Sequence, residues 1–264
     1  MLMKKLTGKI CMVIAAICCC NFAAGNDSLN GVDLYPREER LRPMILPKKM
    51  WQVSNGIDLY VWKNDSGTWK PRIDHALFGI APRRSLSRRI EIPRFPWLPY
   101  MRILLTEADI GTRADGTLNR LAVVFDGGLS GLSISGDGSF WLNLIAGVHM
   151  KYLLGERWWY EQCLSVTGSQ SNISNNSSCI LYEMLGCQFT KTVALTTGIS
   201  GGLSEFSFDN HQPRILGSLK SHLLVNFSKR FNLDLGGTLW GGKVLDGSKV
   251  RFSGAVSPRL TIQW

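Results

Sequence analysis

From Met50 onward the chain alternates apolar and polar residues with a period of two, the pattern of extended strands whose successive side chains point to opposite faces. In the first such stretch Trp51, Val53, Ile57 and Leu59 share one face while Gln52, Ser54 and Asp58 share the other. Residues 141–152 set Leu142, Leu144, Ala146, Val148 and Met150 against Asn143, Gly147, His149 and Lys151, with Ile145 as the exception. Residues 219–228 repeat the pattern with Leu224 out of phase, and 231–239 set Phe231, Leu233, Leu235 and Leu239 against Asn232, Asp234 and Thr238. The last stretch is the clearest. Phe252, Val256, Leu260, Ile262 and Trp264 lie on one side, and Arg251, Ser253, Ser257, Arg259, Thr261 and Gln263 on the other.

Strands are expected near 50–62, 74–81, 87–94, 98–106, 120–134, 139–152, 157–167, 178–189, 194–208, 216–228, 231–241 and 251–264. That makes about 12 strands, with about 10 or 14 as the other even counts, and implies an all-β, antiparallel up-and-down transmembrane barrel. Glu205 shares a face with Leu203 unless a bulge at Gly201-Gly202 flips the register. A soluble sandwich alternates too, but three features favour a membrane. Several strands reach about 10 residues, the length a tilted strand needs to cross a bilayer. Aromatic residues gather at strand ends, at Trp141 and Tyr152, at Trp158-Trp159-Tyr160, and at Phe231 and Trp240, as interfacial girdles require. Tight connections at 154–156 and 228–230 alternate with longer polar ones at 168–178, 209–214 and 242–249, as periplasmic turns alternate with outer loops.

The first 49 residues follow another logic. Lys4, Lys5 and Lys9 precede a short apolar run over 10–20, and Ala23-Ala24-Gly25 supplies small residues for cleavage, so 1–25 reads as a signal peptide. Residues 26–49 are polar and punctuated by Pro36, Pro43 and Pro47, an extended leader lying in the periplasm or tucked into the lumen. The barrel occupies 50–264. Its Cys163, Cys179 and Cys187 are too few for a disulfide framework; Cys163 and Cys179 either pair across the polar loop between them or serve as small hydrophobes.

The chain carries 30 Lys and Arg against 20 Asp and Glu, a net charge of +10. These basic residues are spread over the whole length without a basic helix or an aromatic RNA-binding signature, which argues against nucleic acid. For an exported protein the expected partners are lipopolysaccharide phosphates or an anionic solute.

At Arg259-Leu260-Thr261-Ile262-Gln263-Trp264 the chain resembles the terminal strand of Gram-negative outer-membrane β-barrel proteins. That family ends on an aromatic residue preceded by apolar residues at alternate positions, a signal read by the barrel-assembly machinery. Leu260, Ile262 and Trp264 match it, and Pro258 interrupts the stripe. The resemblance implies an outer-membrane location and assembly through that machinery, and it specifies no activity.

The histidines are His75, His149, His211 and His222, and parity turns His149, His222 and Asp234 inward. A His beside a carboxylate can act as a general base, and some outer-membrane barrels, phospholipase A, omptin proteases and lipid A deacylases, are enzymes that use His with Ser, Asn or Asp at the wall. Inward His and Asp also simply fill a polar lumen, and no motif of those enzymes surrounds them. The inward set further contains Asp58, Arg89, Glu91, Arg102, Asp126, Lys151, Glu161, Glu183, Lys220, Arg251 and Arg259. Paired across the lumen, these charges make a structural or surface-interaction barrel; unpaired Lys and Arg make a passage that prefers anions. The slight basic excess favours the passage. The leading expectation is a passive channel for small solutes with a weak anion preference, lined by Lys151, Lys220, His149, His222, Asp234, Arg251 and Arg259. A lipid-modifying enzyme is the third reading. No cofactor or metal is expected.

Overall fold

Residues with one apolar and one polar face need a wall with two different sides, and the chain builds one. The computed structural model describes Val32 and residues 35–63, 68–74, 81–87, 89–92, 100–105, 111–112, 118–119, 121–134, 140–171, 175–206, 214–244 and 251–264. Residues 1–25, expected to be a signal peptide, lie outside these residues together with His75 and His211, as does the side chain of Arg251.

The strands are β1 (Trp51–Gly56), β2 (Asp58–Lys63), β3 (Trp69–Asp74), β4 (Ala81–Ser85), β5 (Ile90–Ile92), β6 (Tyr100–Leu104), β7 (Gly111–Thr112), β8 (Leu118–Asn119), β9 (Leu121–Ile134), β10 (Phe140–Leu154), β11 (Trp158–Ser171), β12 (Asn175–Gln188), β13 (Val193–Phe206), β14 (Arg214–Asn226), β15 (Phe231–Val244) and β16 (Arg251–Gln263). All pairings are antiparallel. A closed ring of 12 strands runs β1-β4-β5-β6, then β9 through β16, and back to β1. The chain is thus a closed antiparallel β-barrel of the expected strand number.

The seam joins the first strand to the last. Trp51 and Trp264 exchange backbone hydrogen bonds at 2.8 and 3.0 Å. β1 and β2 keep one register along β16, from Gln52↔Gln263 to Trp62↔Ser253. They part at Ile57, which donates to the Pro258 carbonyl at 3.1 Å. Proline has no N–H to return, so the ladder breaks there. β3 and β4 share the next place in the wall, β3 against β2 and β4 against β1; of the strand expected near 74–81 only Asp74, ending β3, and Ala81, opening β4, are among the described residues.

The tight turns at 155–157, 189–192 and 227–230 lie at the same end of the ring as Trp51 and Trp264, as do Leu86 and Ser87, whose N–H groups meet the Ile90 carbonyl. Two local expectations change. Residues 168–178 are mostly strand, because β11 and β12 stay paired to Gln170↔Asn175. The irregularity near Glu205 falls opposite Ser177 and Ser178, where the ladder steps from Ser204 to Phe206, and not at Gly201-Gly202.

Candidate functional site

Inside the ring at the tight-turn end lies residues 35–50 of the chain itself. Only a segment inside the wall can touch inward side chains all round it, and this one does. Arg42 Nη2 donates to Asn232 Oδ1 of β15 at 2.7 Å, and Asn226 Nδ2 of β14 donates to the Arg37 carbonyl at 2.7 Å. The Arg40 N–H reaches Gln188 Oε1 of β12 at 3.2 Å. Lys151 of β10 donates to the Glu39 and Arg42 carbonyls, both at 3.1 Å.

The opposite wall holds the segment by its backbone as well. Glu91 of β5 is fully buried and accepts the Leu46 N–H at 2.8 Å. Arg83 of β4 binds both Glu91 oxygens at 2.7 and 2.9 Å, and Arg102 of β6 donates to the Met44 carbonyl at 3.1 Å. A buried carboxylate is tolerated only with such partners. Gln52 and Gln263, paired across the seam, extend the network through a 2.7 Å bond from Arg83 to Gln52.

Between these polar contacts the segment is anchored by apolar packing. Ile45 sits in a buried cluster with Leu104, Ala122, Val124, Leu153, Trp159 and Ala194, all inward-facing residues of the wall. Burying a side chain of that size stabilises by about 1.5–3 kcal/mol. Trp159 lies flat over Gly186, its register partner, where any side chain would collide with the indole. Val32, Tyr35, Leu46 and Met50 form a second cluster. Burial pushes the Tyr35 phenol above its ordinary range, so it stays neutral there. The chain then leaves the lumen for β1 through a turn in which Lys49 takes φ 68°.

Above the segment a cavity of about 330 Å³ remains, lined among others by Met44, His149, Glu161, Cys163, Tyr182, Ser200 and Lys220. The Lys220 ammonium stands 5.1 Å from the Tyr182 ring centroid. Two His–Asp pairs flank the space. Asp126 Oδ1 is 2.9 Å from His149 Nε2, and His222 Nδ1 is 2.9 Å from Asp234 Oδ1. Each pair is diagonal, on neighbouring strands, with a glycine leaving room for it: Gly147 opposite Asp126, and Gly236 opposite His222. Cys163 Sγ lies 3.3 Å from the same His149 Nε2 that meets Asp126. A nucleophile–base–acid relay uses both ring nitrogens, so this trio is not arranged as one.

Among the expected lumen-lining residues, His149, His222, Asp234 and Lys220 do face the interior, and Arg259 is an electrostatic neighbour of Lys220. Lys151 is inward but buried, bound to the N-terminal segment and 3.6 Å from Glu161 instead of lining a passage. Glu183, expected in the inward set, faces outward, as do Leu181 and Leu185 on its strand. Arg89 lies in an exposed turn. Cys163 faces in and Cys179 out, so they do not pair, and all three cysteines are free thiols. Trp159 and Trp240 are not girdle residues: Trp159 is the buried floor of the lumen, and Trp240 meets Tyr60 edge-on at 5.8 Å.

No protein-family model matches the chain, and no curated protein sequence is significantly similar to it. Solved structures overlap with it at low scores. Outer-membrane OmpT of Vibrio cholerae is 9% identical over 81% of this chain and 97% of its own, with a TM-score of 0.45. A bacterial polysaccharide outer-membrane secretin is 10% identical over 81% and 80%, with a TM-score of 0.46. The toluene transporter TodX of Pseudomonas putida is 8% identical over 87% and 92%, with a TM-score of 0.34. Matches at this level carry nothing about activity.

Proposed function

We propose that this chain is a barrel of the bacterial outer membrane that takes a small, preferably anionic solute into its lumen, while its own N-terminal segment closes the tight-turn end. The membrane part rests on the outer surface. Leu144, Val148, Leu164, Leu181, Ile199, Leu219, Leu239 and Val256 all present exposed side chains around the ring, and Tyr152, Trp158, Phe189, Phe227 and Phe231 edge it at the tight-turn end. A closed ring with an apolar exterior is what hydrocarbon requires of strands. On this reading lipid and lipopolysaccharide surround the wall, and Leu260, Ile262 and Trp264 address it to the assembly machinery.

The observation that carries the solute reading is the cavity above Met44, with Lys220 in its wall and Arg259 nearby. No catalytic step is part of the proposal. The many contacts of the N-terminal segment favour a second reading, a closed structural barrel. Conductance across planar bilayers decides between them. The solute reading expects small, anion-selective currents that rise when residues 35–50 are released, and a reversal potential shifted toward cations by Lys220→Glu or Arg259→Glu. Silence in the parent and in the released variant leaves the structural barrel.

A further inference from the structure

A strand face turned to lipid carries apolar residues, and a carboxylate there is out of place. Glu183 is such a carboxylate. Tyr182, next to it, lines the cavity inside, while Leu181 and Leu185, two residues either way, are exposed outside. Its register partner on β11, Gln162, also points out, and Gln162 Nε2 donates to Glu183 Oε1 at 3.3 Å. Tyr160, the next outward residue on β11, hydrogen-bonds Glu183 too. From Phe189, exposed at the tight-turn edge, to Glu183 is about 15 Å along the barrel axis at a rise of roughly 3.4 Å per residue and a tilt of about 40°, more than halfway up an apolar band about 25 Å tall.

We propose that the β11–β12 face around Gln162 and Glu183 is the contact surface between two copies of this chain. The inference rests on the membrane reading. Copies inserted by one route share one orientation, so a twofold axis relating them runs along the membrane normal. An axis passing between β11 and β12 sets Gln162 of each copy opposite Glu183 of the other. The patch has its donor on one side of that axis and its acceptor on the other, so it is complementary to itself, as an isologous interface must be. Within one copy Gln162 and Tyr160 donate to Glu183, and hydrocarbon adds nothing further; the second hydrogen of each Gln162 amide is left to reach the carboxylate of the other copy.

Native thiols provide the test. Cys179 and Cys187 lie on the outward face of β12, four residues to either side of Glu183, while Cys163 is in the lumen. Isolated outer membranes treated with copper phenanthroline or a short bismaleimide should yield a covalent homodimer that disappears in the Cys179→Ser/Cys187→Ser double variant and persists in Cys163→Ser. Glu183→Leu should lower the cross-linked fraction roughly tenfold, and Glu183→Gln, which keeps hydrogen bonding, should leave it near the parent's. Heat-modifiable migration of each variant reports separately on the barrel. A parent without it ends the membrane reading and this inference together. An inserted barrel that stays monomeric, cross-links only to another protein, or dimerises equally well as Glu183→Leu overturns the dimer alone.

Discussion

Lys151 shows how far a residue's direction can be read from parity while its role cannot. The alternation of β10 turns it inward correctly, but its ammonium ends on two backbone carbonyls of the N-terminal segment instead of in open water. Lys151→Met should therefore act on that segment and hardly on conductance selectivity. Charge-assisted bonds of this kind are worth about 1.5–3 kcal/mol, so the equilibrium constant between the seated and the released segment should fall by roughly ten- to a hundredfold. Limited proteolysis within residues 35–50, with the barrel still resistant, is the measurement; unchanged protection would show that Ile45 and Glu91 suffice. Glu183 teaches the converse. Leu181 and Leu185 share its face, so strict parity along β12 puts it outside, against the inward place expected for it.

At the scale of the strand, β16 combines three demands: an apolar stripe outward, a seam with β1, and a proline where the ladder is interrupted. Leu260 is exposed outward, whereas the Thr261 hydroxyl meets Ser54 at 2.8 Å across the seam. If lipid covers the outer face, Leu260→Arg should weaken the folded barrel by up to about 2–4 kcal/mol near the midplane, and Thr261→Arg by less. Deleting Trp264 should sharply reduce assembled protein in cells. Denaturant titration of refolded protein and heat-modifiable migration read the two effects, and a reversed order for Leu260 and Thr261 would sink the lipid assignment. The long-connection end is testable through the link between β11 and β12. An epitope inserted after Ile173 should be tolerated, because the ladder ends at Gln170↔Asn175, and it should be labelled on intact cells. Labelling only after permeabilisation would invert the orientation.

For the whole molecule, the ring was legible because alternation survives in nearly every strand, and the even strand count follows from having both ends on one side. Between the periplasm and the lumen the sequence left the place of residues 26–49 open, since residues 35–50 are held chiefly through backbone groups such as the Met44 and Arg42 carbonyls, which carry no sequence signature. A signal was nevertheless present. Alternation fails toward apolar at the tight-turn end, in Leu121 to Phe125, Tyr152 to Leu154 and Leu223 to Val225. Ala122, Val124 and Leu153 are the inward members that pack with Ile45, and Leu224 lies against the same cluster. Residues apolar on both faces of a strand need cover on both, so a polar lumen could not have been their only neighbour.

The bonds between Trp51 and Trp264 also impose an order in time. Residues 35–50 lead directly into Trp51, yet their anchors are contributed by β4, β5, β6, β10, β12, β14 and β15, almost the full circumference. An arc that has not yet met its own beginning has no interior to offer. Residues 35–50, made before every strand of the wall, are therefore expected to be the last to find their place. During refolding into detergent or lipid, protection of residues 35–50 from protease should lag behind the heat-resistant form of the wall, and simultaneous protection would mean that the wall gathers around the segment instead.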